Sequence, residues 1–532
     1  MTSLIKASAF ALISILPASA AVELPAIIGP NMVILSGEPA TFWGWADDGE
    51  KITIRHSGKV LATAEGRGKD TPWRAILPAF HPGPVADIEI SASNTITLTN
   101  LVAGEVWLFS GQSNMAMPLK KGPWNGWGGV LNADAEVAAA TDNQIRFFVE
   151  MSPSARTPQS RPNGEWWVLT PETAPQMSGV ACFFSRKIRA DLNVPVGAII
   201  SAVGNTGAEL WTPAESYLSD PEIVRIHSRV QELKAELLPA VRQDQQAAGL
   251  WRKQAEEAKA RGNPPPPRAP SAIPAERNAL LRKLSSTLNA GGLFNGKIHP
   301  LAPFHIRGVA WYQGESNAPR SETYALTLEH LIKGWRMEWD KPLPFIVIAL
   351  AGWGRPVAWE TAANAGGASG SFPLIREAQI KVADTLPNCG VVSAVDVGNP
   401  RNIHPPDKQT VGQRAALWAL ANVYRKNVRH AGPRIEQVVF SGDKAHVRIG
   451  GDTAGLTLKS PAGFELAGAD RRFVPAIAEL NGTSVTVSVA GLTRPVALRY
   501  AFLYYPQCTL YNSASLPALP FRTDDWPIRP AE

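Results

Sequence analysis

The sequence predicts an α/β protein built on a buried parallel sheet, flanked at both ends by β-rich modules and interrupted by a helical insertion. Three observations predict this. Continuous apolar runs recur at Val106-Trp107-Leu108-Phe109, Gly197-Ala198-Ile199-Ile200, Val309-Ala310-Trp311-Tyr312 and 344–350, as parallel strands covered on both faces require. Helical stretches at 178–192 and 410–426 lie between such runs, the alternation of a layered α/β domain. The chain is 532 residues long, too many for one compact core.

Taken in order, residues 1–20 read as an export signal. Lys6 supplies the positive start, 9–16 a short apolar core, and Ala18-Ser19-Ala20 the small-residue cleavage pattern. The apolar stretch is too short to span a bilayer, and the expectation is a periplasmic or extracellular protein. Residues 21–102 read as a β-sandwich module, with short strands at Val33-Ile34-Leu35, Lys51-Ile52-Thr53-Ile54-Arg55, Ile88-Glu89-Ile90 and 95–99 between Gly/Pro/Asp/Ser turns. Residues 103–213 and 291–429 are the two parts of the α/β domain. Residues 214–290 interrupt it. Their first part, 222–261, is charged and helical, with a kink expected at Pro239. A polyproline stretch at 264–267 and a second helix over 274–288 follow. This insertion reads as a solvated hairpin without chemistry of its own. Residues 430–532 return to strands, among them 438–440, 445–449, 484–488 and 498–502, and form a second β module.

Composition narrows the partners. The chain is 45% hydrophobic and 18% charged, with a formal charge of +6, but its Lys and Arg are scattered, which argues against a nucleic-acid partner. No later segment has the length and apolarity of a membrane span, and the sequence leaves the oligomeric state open. Cys182, Cys389 and Cys508 lack metal-ligand spacing; they leave room for one disulfide and a spare thiol. Most of the 17 Trp are expected in the core, Trp107, Trp311 and Trp418 among them.

The chemistry-bearing segment is Gly111-Gln112-Ser113-Asn114-Met115, directly after an apolar strand. Such a turn presents a hydroxyl at the carboxyl edge of the sheet, where open α/β sheets bind ligands. A serine hydroxyl needs a base to become a nucleophile, and histidine is the usual one. Ile-His-Pro occurs twice, at 298–300 and 403–405, so His299 and His404 both qualify by spacing. The surroundings of Ser113 are not Gly-x-Ser-x-Gly, which sets the α/β-hydrolase elbow aside.

The ordered motifs carry a resemblance. Asn31-Met32-Val33, Trp43-Gly44-Trp45-Ala46, Gly104-Glu105-Val106-Trp107-Leu108 and 110–115 come first. Val309-Ala310-Trp311-Tyr312-Gln313-Gly314-Glu315-Ser316-Asn317, Arg376-Glu377-Ala378-Gln379, Ile403-His404-Pro405 with Lys408, Gly463-Phe464-Glu465-Leu466 and Leu510-Tyr511-Asn512 follow. With them the chain resembles the sialate O-acetylesterase family, a branch of the SGNH hydrolases. The resemblance implies an SGNH-like three-layer domain that removes O-acetyl groups from sugars through an acyl-serine, without metal or cofactor. It implies Ser113 as nucleophile and His404 as base. The oxyanion would be held by the N–H of Ser113, a backbone N–H near Gly204-Asn205, and Gln313. The family reads Gly-Gly-Thr where this chain has Gly204-Asn205-Thr206, which puts the width of the pocket in question.

The third triad member stays open. Arg401 stands where SGNH enzymes commonly carry Asp. A backbone carbonyl near Asn402, the Glu315 carboxylate or Asp396 remains as the group behind His404. Arg376, Glu377 and Gln379 read as braces. Asn114, Trp211 and Trp353 are candidates for contacting the sugar. Acetylated xylan, xyloglucan or pectin fits an exported enzyme as well as a sialoside does. A carbohydrate-binding protein with an inactive esterase core is the rival from another class.

Overall fold

The computed structural model describes residues 21–122, 127–354 and 372–526; the expected export signal, residues 1–20, lies outside the described residues. The apolar runs become a sheet whose main path has seven strands: β1 (Leu101–Gly111), β2 (Ile145–Glu150), β3 (Gly164–Val168), β4 (Val196–Ala202), β5 (Gly308–Tyr312), β6 (Phe345–Ala349) and β7 (Cys389–Ser393). Their order is β3-β2-β4-β1-β5-β6-β7. Every neighbouring pair is parallel except the edge pair β2 and β3. All residues of β1 are buried, which is why that segment reads as an unbroken apolar run. From β1 the chain builds outward first on one side, then on the other, so the switch point lies between β4, β1 and β5.

Six longer helices accompany the sheet: α1 (Gly179–Leu192), α2 (Pro221–Ala260), α3 (Ala275–Thr287), α4 (Tyr324–Glu338), α5 (Phe372–Thr385) and α6 (Lys408–Asn422). Side chains alternate across a strand, and β1 uses this. Trp107 and Phe109, two residues apart, both pack on Phe184 of α1, and α6 lies against α1. On the other face Trp311 of β5 meets Trp211 and Trp335 of α4 edge-on, and α5 packs on α4. Ser178 caps α1 by accepting from Ala181 N, and Asp407 caps α6 by accepting from Thr410 N. Trp107, Trp311 and Trp418 are buried, as expected.

The flanking regions are β-rich. At the N-terminal end Ala40–Ala46 pairs with Gly68–Leu77, and Lys51–His56 sits in a four-stranded sheet with Ile88–Ser91 at its centre. Val33–Leu35 departs from this set: it pairs in parallel with the start of β1, and Gly83–Val85 pairs antiparallel there. Strand β1 runs without a break across position 102. The C-terminal region carries a seven-stranded sheet, with Pro433–Ser441 and Lys444–Gly451 at one side and Ala497–Tyr500 and Phe521–Arg522 at the other.

In the 214–290 segment Pro239 does not divide the helix; α2 runs uninterrupted through it. The helix buries Ile223, Val230, Leu233 and Leu237, all in its first half, and the rest reaches into solvent. The Pro-rich stretch folds back on it: Trp251 Nε1 donates to the Pro266 carbonyl at 2.7 Å, and the Arg268 guanidinium lies 4.3 Å over the Trp251 ring. Among the described residues no helix is long and apolar enough to cross a membrane. Cys182, Cys389 and Cys508 are all free thiols.

At the end of β1 the backbone leaves no room for a side chain. Gly111 sits at φ +138°, and a Cβ there would lie 2.2 Å from the Tyr312 carbonyl oxygen. Replacing Gly111 by Ala therefore forces β1 and β5 apart. The expected outcome of Gly111→Ala is a loss of about 2–4 kcal/mol, seen as a lower melting temperature and reduced soluble yield.

Candidate active site

Four loops meet at the carboxyl edge of the sheet. Beyond β1, Gln112 N donates to the Tyr312 carbonyl at 3.1 Å, while Val203 N donates to the Gly111 carbonyl at 3.1 Å. The turn is thus pinned from both sides, and Ser113 opens the one-turn helix Ser113–Ala116. Beyond β7, Asn399 Oδ1 accepts from Arg401 N and Asn402 N, and Asn402 Oδ1 accepts from His404 N at 2.9 Å. These side-chain turns shape the loop that brings His404 Nε2 to 2.8 Å from Ser113 Oγ. His299, the other Ile-His-Pro histidine, instead pairs with Glu338 at 2.9 Å. The geometry therefore selects His404 where spacing alone could not.

Burial holds the His404 imidazole below its ordinary range, and the nearby Lys408 ammonium adds to this. Both favour the neutral ring, the form that can accept a proton. Burial also pulls Lys408 down to about 7, against the opposing pull of Glu315 and Asp407. Burial pushes the Glu315 carboxyl up, opposed by hydrogen bonds and by Lys408 and Arg376.

The carboxylates expected behind His404 are engaged elsewhere. Glu315 Oε1 accepts from Asn114 Nδ2 at 2.5 Å. Asp396 takes a bidentate ion pair from Arg414, at 2.6 and 2.8 Å, and a bond from Tyr511. Among the described residues no carboxylate pairs with His404.

The oxyanion donors separate in the same way. Among the described residues the backbone N–H groups of Ser113, Gly204 and Asn205 reach no main-chain acceptor; for Ser113 this follows from its place in the first helical turn. Gly204 adjoins the nucleophile, since a Cβ built on it would lie 3.5 Å from Ser113 Cβ. Asn205 has φ +58°. The position needs a left-handed backbone, which Asn tolerates better than other residues with a side chain, so the exchange of Gly for Asn keeps the turn. Gln313 departs from expectation. It is fully buried, and Nε2 spends both protons on the Thr206 carbonyl at 3.0 Å and Asn317 Oδ1 at 2.8 Å. In this geometry it braces the pocket and offers no donor to a ligand.

The candidates for sugar contact also change. Trp211 is 0% exposed, its Nε1 donates to Thr206 Oγ1, and its ring is enclosed by the tryptophan cluster; no sugar can stack on it. Trp353 is half-buried against Phe372, which in turn stacks on Tyr504. It joins the core to the C-terminal region. Asn114 is 1% exposed and wholly engaged inside the protein. Arg376 and Gln379 are braces as expected: Arg376 donates to the carbonyls of Leu350, Ala351, Leu503 and Tyr504, and Gln379 Nε2 donates to the Gln313 carbonyl. Glu377 pairs with Arg522.

Three features escape the sequence reading. The Trp127 ring lies 5.2 Å from the His404 ring; a Trp between glycines was the signal that could have marked it. Lys408 matches the family pattern, but nothing in the pattern says that it points at Asn114. A pocket of about 430 Å³ opens beside the site, lined among others by Asn205, Glu209, Ser316 and Arg320 and, from the end of the helical segment, Ser286 and Asn289. The end of the insertion therefore helps to line a pocket beside the site, a contact that the solvated-hairpin reading did not include.

Two outcomes follow from the environment of His404. The base must be neutral, and its pKa is lowered, so activity persists as pH falls through the ordinary histidine value of about 6.5; the acid limb of kcat/KM lies below that value. In Trp127→Ala the ring is wetter, so its pKa rises and the limb moves up towards 6.5, with kcat down about tenfold. A pH–rate profile of the two proteins checks both.

Residues 293–420 match the family described as carbohydrate esterase, sialic acid-specific acetylesterase. The sialate O-acetylesterases of Pongo abelii and Rattus norvegicus are each 26% identical to the chain, over 92% of it and over 90% and 92% of their own lengths. A carbohydrate acetylesterase from Xanthomonas citri has the same overall structure, with a TM-score of 0.76 and 28% identity, covering 95% of this chain and 100% of that one. The chain is similar to the sialate O-acetylesterases along nearly its whole length.

Proposed function

We propose that the protein is a carbohydrate O-acetylesterase that works through a Ser113–His404 dyad. The observation that carries this reading is the 2.8 Å contact between Ser113 Oγ and His404 Nε2 at the carboxyl edge of the sheet. His404 Nε2 takes the Ser113 proton as Oγ attacks the acetyl carbonyl carbon. The negative oxygen is held by the backbone N–H groups of Ser113 and of Gly204 or Asn205. The tetrahedral species collapses, its bond to the sugar oxygen breaks, and His404 returns the proton to that oxygen. Water then attacks the acetyl-serine, His404 takes its proton, and acetate leaves as Ser113 Oγ is reprotonated. Such a route requires neither metal nor cofactor.

The pocket beside Asn205 and Ser316 is the place for the sugar that leaves, and its polar lining suits hydroxyl groups. We read the chain as a leader over 1–20, a β-sandwich module over 21–102, an SGNH-like three-layer domain over 103–213 and 291–429, a helical insertion over 214–290, and a β module over 430–532, with β1 carried across the first of these boundaries. The leader directs the enzyme to a periplasm or the outside of the cell.

Acetate release from a panel of O-acetylated sialosides, xylan, xyloglucan and pectin tests the reading and ranks the substrates. At least one glycan is expected to be deacetylated, and Ser113→Ala is expected to lower kcat by about 10⁴-fold or more. Binding of glycans without acetate release from any of them would support the inactive-core rival.

A further inference from the structure

Three hydrogen bonds converge on the residue next to the nucleophile. Asn114 Oδ1 accepts from Lys408 Nζ at 2.7 Å. Its Nδ2 donates to Glu315 Oε1 at 2.5 Å and to the carbonyl of Ile403, the residue before His404, at 3.0 Å. The amide is 1% exposed and Lys408 is 0% exposed. Because Lys408 Nζ donates to Oδ1, Lys408 sets which end of the amide faces it. The other end must then point its two protons at Glu315 and Ile403. Lys408 is itself held, with Nζ 5.4 Å over the Tyr312 ring, at the root of the capped helix α6.

The base loop has few other ties to the nucleophile turn. Among the described residues its other ties lead elsewhere: Asn402 Oδ1 accepts from His404 N, the Pro406 carbonyl accepts from Leu131 N and Asn399 N donates to the Gly352 carbonyl, and the Trp127 ring lies beside the imidazole. We propose that Asn114, oriented by Lys408, is the positioning residue that holds His404 on Ser113, doing by a clamp on the Ile403 carbonyl what a triad carboxylate does by a bond to the imidazole. Because Asn114 follows Ser113 directly in the chain, one amide ties the nucleophile turn to the base loop and fixes the separation between them. A displacement of about 1 Å at such a contact costs on the order of 10²-fold in rate. The inference rests on the Ser113–His404 reading of the site.

The test compares Asn114→Ala, Lys408→Met and Lys408→Gln with the parent enzyme. It measures kcat and KM for an acetyl ester, the rate at which a fluorophosphonate labels Ser113, the acid limb of the pH profile and the melting temperature. Labelling reports serine activation independently of sugar binding. Asn114→Ala is expected to lower kcat about 100-fold with KM nearly unchanged, and labelling falls in parallel. Lys408→Met replaces the buried amine by an apolar chain of similar volume and frees the amide to turn; its melting temperature shows the cost of removing one buried partner, and in the folded variant kcat falls about tenfold. Among the described residues the charged group that acts on the imidazole is Lys408; Lys408 is in turn faced by Glu315 and Asp407, with Arg376 behind Glu315. Loss of the Lys408 cation therefore moves the acid limb upward. Lys408→Gln keeps a donor without the charge, so it recovers part of kcat but retains the raised limb.

The inference is overturned if folded Asn114→Ala or Lys408→Met keeps kcat and labelling within about threefold of the parent, a difference under 1 kcal/mol. It is also overturned if Gln at 408 is no better than Met. Should Asn114→Ala fail to fold, the two Lys408 variants decide. Ser113→Ala run alongside separates the claims: if it still hydrolyses the ester, the reading of the site falls, not only the role of Asn114.

Discussion

The site depends on one close approach of two main chains, where β1 ends beside β5. Gly111 has no side chain to keep the Tyr312 carbonyl away, so the amide of Gln112 can reach it, and on the other side Val203 N reaches Gly111. These bonds hold the ends of β1, β4 and β5 side by side in register. Ser113, Gly204–Asn205 and Gln313–Glu315 all follow from those ends within a few residues. Ser113, the backbone N–H groups beside it and the wall of the pocket are therefore placed by the sheet, not by loop chance, and the 2.8 Å contact of Ser113 with His404 has a rigid support on the serine side.

Behind the serine lies a polar layer that the apolar sheet must satisfy. Tyr324 and Gln379 both donate to the Gln313 carbonyl, and Gln313 in turn holds Thr206 and Asn317. Asn317 and Arg320 hold Glu209. Each such bond contributes about 1 kcal/mol net, whereas a buried partner left alone costs about 1–3 kcal/mol. The network is thus worth more for fixing one arrangement than for stability. It also explains why Gln313 is not free to serve an oxyanion: its protons are needed to hold the loop after β4 against the loop after β5. The same reasoning covers Arg376, whose four carbonyl partners tie the end of β6 to the C-terminal region.

Much of this was legible in the residues. Continuous apolar runs marked β1, β4, β5 and β6 because a strand covered on both faces has no polar side. The helical stretch over 178–192 marked α1. The ordered motifs singled out Ser113 and His404, which the folded chain brings together from 291 positions apart. What stayed hidden depends on partners distant in sequence. Nothing near Asn114 announces that its amide will meet Lys408 and Ile403. Trp211 sits in a loop-like stretch, yet it is drawn inside because Trp311 and Trp335 close around it. Glu315 and Asp396 were reasonable carboxylates for His404 until Asn114 and Arg414 were seen to occupy them. The Asn205 exchange looked like a narrowed pocket, and only its left-handed backbone shows that it preserves the turn.

The central claim is that acetyl passes through Ser113 with His404 as its base and no carboxylate behind it. Rapid quenching during turnover of an acetyl ester, followed by peptide mass spectrometry, tests it most directly. The account predicts an acetyl group on the Ser113 peptide, formed by the parent enzyme and not by His404→Ala. Steady turnover with no acetyl on Ser113, or with acetyl carried by another residue, would contradict it.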